Sequence, residues 1–124
     1  MRRASQVLAV LAAGLVNGLL VGAACAELAK IVGPGAVKCA DFSSQALKKP
    51  DSQREYLAWA MGLMSGLILR APLGVDEGID LMPASMPPVK QLEFLREYCE
   101  QKPDEDFTDA VLALYRLLRD MRRI

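Results

Sequence analysis

Histidine is missing from all 124 residues, and with it the commonest general base and metal ligand. A Ser-His-Asp or Cys-His apparatus is thereby excluded. Neither G-x-x-x-x-G-K-[ST] nor G-x-G-x-x-G occurs, so no phosphate-cradling loop is legible, and there is no C-x-x-C for zinc or redox work. Charge of one sign is missing as well. Fifteen Lys and Arg balance fifteen Asp and Glu, which gives no reason to expect nucleic acid or an anionic membrane surface as partner. No run alternates apolar and polar residues over enough positions to suggest a sheet.

What is present begins with an export signal. Arg2 and Arg3 make a positive start, and Val7–Val21 is apolar apart from Asn17 and two glycines. Ala24-Cys25-Ala26 then supplies the small residues of an A-x-A cleavage site. An uncleaved anchor is the alternative, but the run sits at the short end of the roughly 17–25 residues a spanning helix needs. The expectation is a cleavable signal peptide at 1–26 and a single domain at 27–124, in the periplasm or secreted. Removing 26 of the 124 residues leaves 98, and taking Arg2 and Arg3 from the 15 basic residues leaves 13 against 15 acidic ones, a net charge of −2. No further apolar stretch is long enough to span a bilayer without charge, so no membrane contact is expected after cleavage.

Three cysteines become two once Cys25 leaves with the signal. In an oxidising compartment Cys39 and Cys99 are expected to pair within the chain, with an intermolecular bridge or free thiols as the alternatives. The bond would close a loop of about 60 residues and contribute ~4 kcal/mol on the chain-entropy estimate.

The remaining pattern is all-α, a small single-domain bundle of about four helices. Gly33-Pro34-Gly35 marks an irregular lead-in, and Asp41–Leu47 reads as a short helix stopped by Lys48-Lys49-Pro50. Ser52 and Glu55 make a capping-box pattern before a long apolar helix to about Arg70. Within it Ala58, Gly62 and Gly66 recur every four residues and leave one face nearly bare, beside Tyr56, Trp59, Leu63 and Leu67. Packing inside the chain is the commoner use of such a stripe. The other is a partner surface formed by Ala58, Trp59, Gly62 and Gly66, here a homodimer. Residues 71–88 are rich in Pro and Gly and read as one long loop, a length often functional in a small domain. Helices are expected again over Gln91–Gln101 and from about Asp104 to Arg122, with Pro103 between them. In the last, Phe107, Val111, Leu114, Leu118 and Met121 follow the spacing of a buried stripe.

Acidic clusters are the remaining candidates for chemistry. Asp76, Glu77 and Asp80 could gather oxygens in the loop, but they lack the D-x-[DN]-x-[DN]-G signature of a calcium site. Asp104–Asp106 reads as a helix start, and Glu93, Glu97 and Glu100 as a solvated face. No catalytic set, metal site or cofactor is expected. The residues point to a non-enzymatic protein that binds other proteins, with Asp76, Glu77 and Asp80 in a partner loop.

Cys39-Ala40-Asp41-Phe42 resembles the C-x-D-F segment that opens the core of the HdeA-type periplasmic acid-stress chaperones. Cys99 followed by Phe107, Asp109, Val111 and Tyr115 is similar to that family's C-x7-F-x-D-x-V arrangement with a later aromatic. The middle departs from it: Tyr56, Trp59, Gly62 and Gly66 instead resemble the aromatic-then-G-x-x-x-G helix of Rap/Tai-type immunity proteins. The first resemblance implies a dimeric holdase that opens in acid, baring Phe107, Val111, Leu114 and Leu118 to denaturing clients. The fifteen carboxylates titrate near pH 4 while 13 basic residues stay charged, so the net charge would swing from −2 toward +13. The second implies a fixed patch that blocks one secreted peptidoglycan-cleaving effector, most naturally through the 71–88 loop. The holdase is the favoured expectation and the immunity protein its alternative.

Overall fold

The computed structural model describes residues 29–122; the segment read as a signal peptide lies outside them. The described chain is all-α. It runs through a 3-10 turn at Gly33–Ala36, helix α1 (Cys39–Ser44), a second 3-10 turn at Ala46–Lys48, α2 (Pro50–Arg70), α3 (Pro88–Gln101) and α4 (Phe107–Met121). Among the described residues no helix is long and apolar enough to cross a membrane.

Helix starts depart from the sequence pattern for identifiable reasons. Helix α2 begins at Pro50, ahead of the Ser52–Glu55 box, and Lys49 caps it without a side-chain bond. Helix α3 begins at Pro88 rather than Gln91. In both, proline's fixed φ and missing N–H suit the first helical position, so the residue taken for a breaker is an initiator. Helix α4 starts at Phe107, three residues later than expected, with Asp106 and Asp109 forming a reciprocal capping box. The Asp109 carboxylate accepts the Asp106 N–H at 3.1 Å.

The delay in α4 follows from the needs of α1. A six-residue helix cannot satisfy its own first N–H groups. Cys39 N–H donates to the Glu105 carbonyl at 2.8 Å and Ala40 N–H to that of Pro103 at 3.0 Å, while Phe107 N–H donates to Val37 at 2.8 Å. Lys38 and Asp106 complete an isolated antiparallel bridge. The carbonyls of Pro103 and Glu105 are thus taken by α1, and residues 103–106 stay outside α4.

The core lies where α1 and α3 meet α4 and α2. Cys39 and Cys99 are joined, with their Cα atoms 4.6 Å apart, tying α1 to α3. Of the pairings open to the sequence, the intramolecular one forms, and both residues are fully buried. Phe42, Tyr56 and Phe107 pack as an aromatic trio with centroids 4.7–5.0 Å apart. Met64, Leu95, Val111, Leu114 and Leu118 fill the rest.

Candidate functional site

The loop between α2 and α3 is long, but it is anchored at three levels. Asp76 sits in the left-handed region, at φ 61°, a conformation uncommon outside glycine and tolerated best by Asp and Asn. That backbone turn lets its carboxylate accept the Tyr115 hydroxyl of α4 at 2.7 Å. Next to it, Arg122 donates to the Glu77 carbonyl. Further along, the buried Gln91 of α3 donates its amide N–H groups to the carbonyls of Leu81 at 2.8 Å and Met86 at 2.9 Å. Ile79, Leu81 and Met86 pack against the core between these anchors.

The loop carboxylates are turned to the chain itself. The Glu77 carboxylate accepts the Gly74 N–H at 2.9 Å, and that of Asp80 accepts the Met82 N–H at 2.8 Å. Asp76, Glu77 and Asp80 therefore each close a local or tertiary contact. Among the described residues no three His, Cys, Asp or Glu side chains gather where a metal ion could be held.

While its backbone is braced, the loop and its flanks point large apolar side chains outward. Leu73 is 98% exposed, Leu69 84% and Val89 72%, with Val75 and Met82 about half exposed. The sequence reading looked to the loop's acids for a partner surface; the exposed groups are its aliphatics.

The stripe on α2 divides. Ala58 and Gly62 are exposed and Gly66 is half-buried. A Cβ added to Gly62 or Gly66 would meet no described residue outside its own helix within 4 Å. Trp59 lies elsewhere, against the lead-in turn and Phe107, with ring centroids 6.1 Å apart. Its ring occupies the space over Gly35, where an added Cβ would fall 2.1 Å from it. Thr108 completes this clasp by donating its hydroxyl to the Gly35 carbonyl at 2.8 Å. Phe107, Val111, Leu114 and Leu118 are buried in the core.

Electrostatics follow the same contacts. Burial, then the bond to Asp76 and its charge, push the Tyr115 hydroxyl up to about 12. Burial and the bond from Tyr98 to Glu105 raise Tyr98. Lys38 is raised by its hydrogen bond to Asp106 and by that residue's charge, at 2.8 Å.

Sequence reasoning placed Tyr115 as a late aromatic, Gly35 in an irregular turn and Gln91 at a helix start, and missed the contacts each makes. Gln91 had a signal: it shares the i, i+4, i+8 register of Leu95 and Cys99, all three fully buried. Comparison with protein-family models, with curated proteins and with solved structures finds no match.

Proposed function

We propose that the protein acts by binding one specific protein partner through the apolar side chains of the braced 71–88 loop and its flanks. The observation that carries this reading is the pairing of a backbone held by Tyr115–Asp76, Arg122–Glu77 and Gln91 with exposed Leu73, Val75, Met82 and Val89. Large apolar side chains left exposed along one segment are candidates for an interaction site. A loop already ordered does not have to be ordered again on binding, which conserves affinity. A fixed patch of this kind would suit an immunity protein of the Rap/Tai kind that blocks a secreted peptidoglycan-cleaving effector, in the compartment that the expected export signal implies.

The test is titration of the purified protein into such an effector from its own host at neutral pH. The effector's hydrolysis should be inhibited, and Leu73→Asp or Val89→Asp should abolish the inhibition while circular dichroism stays unchanged. An effector that keeps its activity under a several-fold excess of the wild type rejects the reading.

A second reading, the acid-activated holdase, is favoured by a different observation. The contacts of Tyr115 with Asp76, Lys38 with Asp106 and Tyr98 with Glu105 each end on a carboxylate, so three ties between elements use the class of group whose charge strong acid removes. Suppression of client aggregation at about pH 2–3 and not at pH 7 supports that reading, and equal scattering with and without the protein at low pH rejects it.

A further inference from the structure

Around Gln91 the loop has more acceptors than donors. The amide nitrogen offers two N–H groups. Three acceptors surround it: the Leu81 carbonyl at 2.8 Å, the Met86 carbonyl at 2.9 Å and the Met82 sulfur at 3.9 Å. The oxygen of the same amide is buried with no hydrogen-bond partner. A thioether is a weak acceptor, so the carbonyls hold both N–H groups and the sulfur only touches. A stronger acceptor at Met82 would have to compete with Leu81 and Met86, or face an oxygen that has nothing to donate.

Met82 is also the methionine that solvent reaches best among the described residues. It is 51% exposed, whereas Met64 is fully buried and Met61, Met86 and Met121 lie partly buried against the core. Oxidation of methionine converts an apolar side chain into a polar one.

We propose that Met82 is a redox-modification site, and that its oxidation by a peroxide unfastens the loop from Gln91. The sulfur lone pair attacks one peroxide oxygen, the O–O bond breaks, and the other oxygen leaves as hydroxide and is protonated to water. The sulfur gives up two electrons and keeps one oxygen as the sulfoxide. That oxygen is a strong acceptor set beside an amide already fully engaged. It takes an N–H from Leu81 or Met86, and the stranded carbonyl reaches water by opening the loop. Because Met82 is one of the loop's exposed apolar groups, the same step makes the binding surface polar. That final effect rests on the partner surface proposed above; the oxidation and the loosening do not. Reductases return the sulfoxide to the thioether, so the change is reversible.

The test is dilute hydrogen peroxide on the disulfide-bonded protein, followed by peptide mass spectrometry. Met82 should gain one oxygen before any other described methionine, and Met64 should be last. Amides of residues 79–86 should then exchange hydrogen at least about tenfold faster, as expected for one lost hydrogen bond, with α4 unchanged. Methionine sulfoxide reductase should restore them, and Met82→Leu under the same peroxide should keep them slow. The oxidised protein should also inhibit its effector less. An effector indifferent to the unoxidised protein rejects the partner surface and leaves the exchange result standing, whereas full inhibition by the oxidised protein overturns the effect on that surface. Earlier oxidation of another described methionine overturns the proposal. So does exchange that stays unchanged once Met82 is oxidised, or that accelerates equally in Met82→Leu.

Discussion

The Tyr115 hydroxyl and the Asp76 carboxylate meet at 2.7 Å across 39 residues of sequence, joining the last helix to the long loop. The contact needs Asp76 in the left-handed region and Tyr115 almost wholly buried, so both partners are committed to it. It links the packing of α4 to the shape of the surface that the loop presents.

Alkaline stability reports this contact. An unfolded tyrosine ionises near pH 10, whereas Tyr115 in the fold is pushed up to about 12, first by burial and then by Asp76. The group's contribution is therefore complete below about pH 10 and is lost as the pH rises toward 12. Urea unfolding at pH 7, 10 and 11 should show a steeper decline for wild type than for Tyr115→Phe. Tyr56 and Tyr98, also raised, leave a residual slope in the variant. At pH 7 the same variant should lose about 1.5–3 kcal/mol, the worth of a hydrogen bond to a charged acceptor. Identical slopes would show that the bond does not form in solution.

Gln91 should be the most sensitive polar residue. Its amide serves two loop carbonyls from a fully buried position. Gln91→Leu keeps the volume roughly constant but strands both carbonyls, for about 2–4 kcal/mol. Hydrogen exchange should localise the loosening to residues 79–88 and leave α4 protected. A variant as stable as wild type would mean that water replaces the amide.

These two contacts mark where sequence reasoning stopped. The helical class was legible because Phe107, Val111, Leu114 and Leu118 repeat at helical spacing, and all four are buried. The Cys39–Cys99 bond was legible because the expected export signal would carry Cys25 away and leave two cysteines with one internal pairing. The start of α4 was not. Asp104 looks like a first-turn acid, and nothing local reveals that the carbonyls of Pro103 and Glu105 are taken by α1. The Ser52–Glu55 box went unused because Pro50 begins the helix earlier. Gln91 was passed over because a polar residue in an apolar register reads as surface until two carbonyls are placed beside it. In the loop, an aspartate's partner 39 residues away leaves no periodic trace.

Two glycine substitutions should move stability in opposite directions. Gly35→Ala drives a Cβ to 2.1 Å from the Trp59 ring and 2.6 Å from the Thr108 hydroxyl. Trp59 must then move off the lead-in turn, at a cost of roughly 1–3 kcal/mol. Gly66→Ala enters open space in a helix interior and should add about 0.5–1 kcal/mol. Thermal unfolding at sub-micromolar protein, below any association, is the measurement. Equal shifts of one sign would mean that the clasp around Trp59 is loose.

The disulfide should be silent to reductant in the native state and decisive once the chain opens. Both sulfurs belong to residues with no exposed surface, enclosed by α1, α3 and the 103–107 segment. A thiolate must reach sulfur to exchange, so reduction at neutral pH should wait on unfolding. Its rate should follow the unfolding equilibrium, rising with urea in step with the loss of helicity. Replacing both Cys39 and Cys99 by alanine frees a loop with a sequence separation of 60. The chain-entropy estimate for that length is about 4 kcal/mol, against roughly 5–15 kcal/mol for a whole domain. The Cys39→Ala/Cys99→Ala protein should therefore be folded only marginally at 25 °C, and α1 should be the first element lost. With the bond gone, its six residues keep only the N–H contacts to Pro103 and Glu105 and the packing of Phe42. Rapid reduction in the absence of urea, at a rate independent of stability, would show instead that α1 opens locally and that the covalent tie is there to hold it.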